Sequence, residues 1–131
     1  MDDLVTLAVT PVGEVTDDHV RIVLEVDVPA GVHIEPHRPT EPFLIPTVVT
    51  VNGLDDVEII YPDPVAKHLG WNDVALMVLE GPLEFVVTGQ RRPDGEVVSG
   101  GISYQPCLGG ACLPPRTVTW STQPNPAKVG L

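Results

Sequence analysis

The chain has 131 residues and a net charge of −11, from 18 acidic and 7 basic side chains. That length suits one domain with a core of its own, and a hydrophobic content of 43% argues against a disordered body. A surface this negative repels phosphate backbones and anionic lipid, which makes nucleic acid and membrane surfaces poor partners, and it keeps the domain soluble.

Fifteen prolines and twelve glycines favour many short strands over long helices. No stretch approaches the ~18 apolar residues of a membrane span. The opening MDDLVTLAV is acidic and does not read as a secretory signal. A site of action outside the cytoplasm therefore implies a signal already removed, or a domain cut from a longer chain.

In chain order, Val5, Leu7 and Val9 alternate with polar or small residues and predict a first strand ending before Pro11 and Gly13. The clearest element follows at 19–28, where Val20, Ile22, Leu24, Val26 and Val28 share one face and Arg21, Glu25 and Asp27 the other. That period of two marks a half-buried strand. Residues 35–46 hold four prolines and read as an extended irregular loop. Further strands are expected at 47–51, 57–61, 74–79, 83–88, 96–100, 102–106 and 117–120. Between two of them, 91–96 reads as a turn, with Pro93 fixing φ and Gly95 tolerating positive φ. Eight or nine short antiparallel strands predict an all-β, immunoglobulin-like sandwich over residues 1–122, with 123–131 as a tail or linker.

Both cysteines fall in YQPCLGGACLPP, residues 104–115. Strand-like sequence on each side of Cys107 and Cys112 predicts a hairpin with a four-residue LGGA loop, Gly109 and Gly110 supplying the freedom for the reversal. Opposed residues there lie within disulfide reach. A bond closing so short a loop stabilises by only about 2 kcal/mol, against about 4.7 for a hundred-residue loop. A pair made to open and close gains accordingly on a structural staple, and a metal clip remains a third reading. Pro106 and Pro114 stiffen the approaches. Arg116 is the nearest cation in sequence, so no strongly depressed thiol pKa is expected, which suits attack by a partner's thiolate.

The remaining candidates are weaker. His33 and His37 are four apart but interrupted by Pro36, and a surface or hydrogen-bonded role is expected for them, as for His19 and His68. Two thiolates and an imidazole suit copper or zinc, yet no second cysteine pair completes a zinc site, and no metal or cofactor is expected. Tyr104 and Trp120 read as core, and Asp55, Asp56 and Asp63 as solvated loop. Hydrolase, phosphate-loop and dinucleotide signatures are absent.

At the cysteine hairpin the sequence resembles the N-terminal periplasmic domain of the DsbD thiol–disulfide interchange family. GVHI (31–34), IPTVVTV (45–51), IIYPDP (59–64) and YQPCLGGACLPP carry the likeness in order, over about 20–120. Val32 stands where the family has an aromatic, and the best-known members have one more residue between the cysteines. The resemblance implies a sandwich whose Cys107 and Cys112 shuttle between dithiol and disulfide, with Cys112 forming the mixed disulfide. It implies electrons from a membrane-embedded donor by way of a thioredoxin-like domain, passed to periplasmic oxidoreductases of disulfide isomerisation or cytochrome c maturation. A cap loop shielding the cysteines would fall on residues 65–71, including His68, Leu69, Gly70 and Trp71. The rival expectation is a disulfide-stabilised binding or adaptor module without redox activity, recognising partners through loops such as 35–46.

Overall fold

The computed structural model describes residues 6–16, 18–39, 44–68, 75–93, 97–108 and 111–122. Twelve strands lie within them: β1 (Ala8–Thr16), β2 (His19–Asp27), β3 (Val32–His33), β4 (Val48–Asn52), β5 (Leu54–Ile60), β6 (Val65–His68), β7 (Ala75–Val78), β8 (Pro82–Arg91), β9 (Ser99–Tyr104), β10 (Cys107–Leu108), β11 (Ala111–Cys112) and β12 (Arg116–Ser121). No helix among the described residues is long and apolar enough to cross a membrane.

The alternation in β2 builds the centre of the molecule. Val20, Ile22, Leu24 and Val26 are all buried, and β2 pairs antiparallel with β1 on one side and β8 on the other. Phe85 and Val87 of β8 add to the same apolar face. A four-stranded sheet results, in the order β1-β2-β8-β5. Its core face meets Val49, Ile102, Tyr104 and Trp120 from a three-stranded sheet, β12-β9-β4. Side chains from two antiparallel sheets thus share one apolar interior, and the fold is an immunoglobulin-like sandwich.

Departures from the expected elements have local causes. The first strand runs through Pro11 and Gly13 to Thr16 instead of stopping before them. It is an edge strand, and a proline there can lack its N–H on the unpaired side without breaking the ladder. The strands expected at 96–100 and 102–106 are one element, β9, because Gly100 and Gly101 continue its pairing on both sides. A Cβ on Gly100 would stand 1.8 Å from the Thr50 carbonyl oxygen, so the close approach of β4 requires glycine. Asp55 and Asp56 are not in a loop; they occupy a bulge of β5, where the register with β8 shifts and Asp56 takes φ 51°. Bulges of this kind break up a sheet edge. Arg92 Nε donates to Asp55 Oδ1 at 3.0 Å. The described part of the 91–96 turn follows β8, and residues 94–96 and 123–131 lie outside the described residues.

Within 35–46 the described residues form no strand, as expected. The base of that stretch is nevertheless fixed: Thr47 Oγ1 donates to the Glu35 carbonyl, and His37 Nδ1 bonds the Thr47 carbonyl at 3.0 Å. His37 also stacks on Tyr61 with ring centroids 3.9 Å apart, and Tyr61 meets Phe85 edge-on. Tyr104 and Trp120 are core, as expected, and the Tyr104 hydroxyl accepts the Leu7 N–H at 3.3 Å.

Candidate functional site at the cysteine hairpin

Cys107 and Cys112 form a disulfide, with Cα atoms 4.0 Å apart. They are direct cross-strand partners, and the ladder extends one pair beyond them, Leu108 with Ala111. The connection is therefore the two residues Gly109 and Gly110, which lie outside the described residues, and not a four-residue loop. On the other side the Leu113 N–H donates to the Pro106 carbonyl at 2.9 Å, continuing the pairing past the cysteines. Pro106 is buried and Pro114 exposed.

The hairpin does not stand alone. β10 pairs on its far side with β3, setting Cys107 opposite His33 and Leu108 opposite Val32. The small sheet has the order β11-β10-β3, so Cys107 lies on its central strand and Cys112 on an edge. Burial follows from that position: Cys107 is 0% exposed, whereas Cys112 is exposed. Around the open cysteine, Leu108 and Leu113 are exposed apolar side chains, at 41% and 37%.

Residues opposite one another in a ladder share a face, and positions two apart in an extended chain share it too. His33, Cys107 and Cys112 thus form a row, and Glu35 follows His33 by two. One ring nitrogen of His33, one carboxylate oxygen of Glu35 and Cys107 Sγ lie within 4.8 Å of one another. His33 and Glu35 are 2% and 1% exposed. His33 Nδ1 and Glu35 Oε1 find no hydrogen-bond partner among the described residues. Burial pushes the Glu35 carboxyl above its usual range. Burial, reinforced by the charge of Lys67 and opposed by Glu80, holds the His33 pKa down. Lys67 Nζ and Glu80 Oε2 pair at 2.7 Å.

His33 corrects the expectation of a surface or hydrogen-bonded histidine, and Glu35 was expected only as the start of an irregular loop. The signal was in GVHIE: Val32 and Ile34 are buried in the core, which leaves His33 and Glu35 a common opposite face. Of the expected cap, residues 65–68 form β6, paired with β7, with His68 opposite Ala75. Leu69, Gly70 and Trp71 lie outside the described residues. The Ile34–Leu79 bridge, with N–H···O distances of 2.9 and 2.8 Å, ties that hairpin to the end of β3. Tyr104 supports the sandwich through its bond to Leu7. A broad depression across β1, β2 and β8, lined by Thr10, Glu25, Asp27 and Glu84 among others, shares no residue with the cysteine site.

The architecture is an immunoglobulin-like sandwich that bears a cross-strand disulfide on a short hairpin. Among solved structures, the chain is similar to the N-terminal periplasmic domain of ScsB from Proteus mirabilis, with TM-score 0.67, 16% identity and 92% of this chain covered. It spans 47% of that chain, about half its length. The DsbD N-terminal domain of Neisseria meningitidis in its reduced form matches over 90% of this chain and 86% of that one, with 17% identity and TM-score 0.49. The same TM-score and identity hold for the complex between the DsbD N-terminal and PilB N-terminal domains of that organism, covering 87% of this chain and 81% of that one. At such identities the likeness is one of fold. No protein-family model matches the sequence, and no curated protein matches it.

Proposed function

We propose that this domain is a thiol–disulfide electron carrier working through Cys107 and Cys112. The observation that carries the reading is the asymmetry of the disulfide, with one sulfur on a buried central strand and the other on an exposed edge. An incoming thiolate meets Cys112 Sγ and forms a mixed disulfide there, and Cys107 leaves as a thiolate that takes up a proton. The partner's second thiolate then attacks its own sulfur in the mixed disulfide and releases Cys112. Two electrons have entered, one disulfide has moved to the donor, and the domain holds a dithiol.

Discharge runs the other way. Cys112 thiolate attacks the disulfide of a downstream oxidoreductase, and Cys107 resolves the mixed disulfide by attacking Cys112 Sγ. The exposed Leu108 and Leu113 beside Cys112 offer an apolar rim on which such a partner can seat. Thioredoxin-like proteins are the partners this chemistry fits, with a membrane-embedded donor upstream and an extracytoplasmic, periplasmic setting. The fold shared with the ScsB domain supports that setting. The pair spans only five positions and sits outside the two sheets of the sandwich, so opening it leaves the core intact.

The test is the reduction potential, measured in glutathione buffers with circular dichroism alongside. A reversible transition between about −270 and −120 mV, the range of thioredoxin-like partners, with an unchanged β signal is the expected result. A pair that resists reduction until the fold is lost makes the disulfide a staple, and the binding-module reading takes its place.

A further inference from the structure

A buried polar side chain without a hydrogen-bond partner carries a cost, because it has given up its bonds to water. His33 and Glu35 carry that cost side by side, each at least nine-tenths buried, with Nδ1 and Oε1 unmatched among the described residues. Both lie with Cys107 Sγ inside a 4.8 Å cluster. The only other chemistry-bearing side chain in that row is Cys112, already bonded to Cys107.

We propose that the reduced domain binds one zinc ion between Cys107, Cys112, His33 and Glu35. This rests on the carrier reading only in needing a disulfide that opens with the fold intact. The donor set is two thiolates, one imidazole and one carboxylate, which a d¹⁰ ion of borderline softness accepts in a tetrahedron, whereas magnesium and calcium require oxygen alone. Zinc–ligand bonds of about 2.0–2.3 Å place neighbouring donors about 3.3–3.8 Å apart. His33, Glu35 and Cys107 already hold one donor atom each within 4.8 Å of one another, and Cys112 Sγ is bonded to Cys107 Sγ until reduction frees it. The backbone supplies the arrangement: three ligands come from adjacent strands at one register level, and the fourth from two residues along β3's continuation.

The disulfide gates the site. While the S–S bond stands, neither sulfur has a thiolate to offer. A dithiol or phosphine reductant delivers two electrons and leaves two thiols. Zinc then displaces a proton from each to solvent as the two Zn–S, one Zn–N and one Zn–O bonds form. Entry is from the Cys112 edge, the exposed end of the row. An occupied site ties up both thiols, so zinc and thiol–disulfide exchange exclude one another.

The experiment uses the whole chain, reduced with a phosphine that is then removed without air, and titrated with zinc against a chromophoric chelator. One zinc per reduced chain and none per oxidised chain is expected. Even outer-sphere partners of metal ligands matter by about 10–100-fold, so His33→Ala and Glu35→Ala should each weaken binding at least about tenfold. Circular dichroism of each oxidised variant separates lost ligands from lost fold. Cobalt in place of zinc adds a spectrum whose d–d bands report tetrahedral geometry in the reduced wild type and change in both variants. Equal affinity in wild type and variants overturns the proposal, since the cysteines alone would then be capturing the metal; so does a reduced wild type that takes up none. If exchange proceeds without zinc uptake, only the zinc site falls. If the pair cannot be reduced in the folded chain, the carrier reading falls first.

Discussion

The sandwich and the cysteine sheet are built from different strands and obey opposite rules. In the sandwich, long strands pair over up to nine consecutive residues, and the buried side chains of β2 and β8 are apolar. In the sheet β11-β10-β3 each strand has two residues, the buried row includes His33 and Glu35, and one cysteine of the bonded pair is open to solvent. Stability is concentrated where packing is extensive. Chemistry sits where packing is slight and polar groups are held against their preference. A redox pair placed inside the sandwich would change the core with every turnover; placed on its own small sheet, it need not.

Substitutions can break that division, the largest effect first. Phe85→Ala removes a fully buried ring from β8 and should cost about 3–5 kcal/mol in denaturant unfolding, taking thiol exchange with it as the fold is lost. Replacing Cys107 and Cys112 together by alanine should abolish exchange, yet cost only about 2 kcal/mol, seen as a fall in Tm of about 5–10 °C. A double variant that fails to fold would place the disulfide among the sandwich's own supports.

Glu35→Leu runs the other way. It deletes a buried, unmatched carboxyl and should stabilise the domain by about 1 kcal/mol at neutral pH. Its pH dependence sharpens the comparison. Burial raises the folded pKa of Glu35 above the ordinary 4.5, so the folded chain keeps a proton that the unfolded chain has released. The penalty starts as pH rises past the unfolded value and is complete above the folded one. Glu35→Gln should therefore gain little over wild type near pH 4 and progressively more towards pH 8, read from paired melts at each pH. The smallest effect is expected for Lys67→Met. Its partly exposed ion pair with Glu80 is worth at most about 1 kcal/mol, and its loss should appear mainly as a higher His33 pKa by NMR titration.

Much of the sandwich was legible because its strands announce themselves locally. The alternation at Val20 to Val26 needs no partner to be read, and the β9–β12 pair follows from the strand-like segments on either side of the cysteine hairpin. Edge effects were less legible: Pro11 looks like a strand end until its position at the rim of a sheet is known. The cysteine pairing could be read from spacing and glycines. The burial difference between its two sulfurs could not. It arises when β3, more than seventy residues upstream, docks on β10 and leaves β11 at the edge. Two-residue strands have no periodicity to detect, so His33 and Glu35 stayed hidden beside a proline-rich stretch. Residues 65–68 were read as loop because their strand character emerges only on pairing with β7.

For the proposed carrier, the single open sulfur also dictates a rate law. A disulfide reachable at both ends could hold donor and acceptor at once in a ternary complex. With Cys107 sealed on the central strand, every partner must address the same atom, Cys112 Sγ, and must leave before the next arrives. Donor and acceptor then compete for one docking position, and steady-state turnover with both present follows ping-pong kinetics, each partner inhibiting when in excess. One doorway turns a relay into a queue.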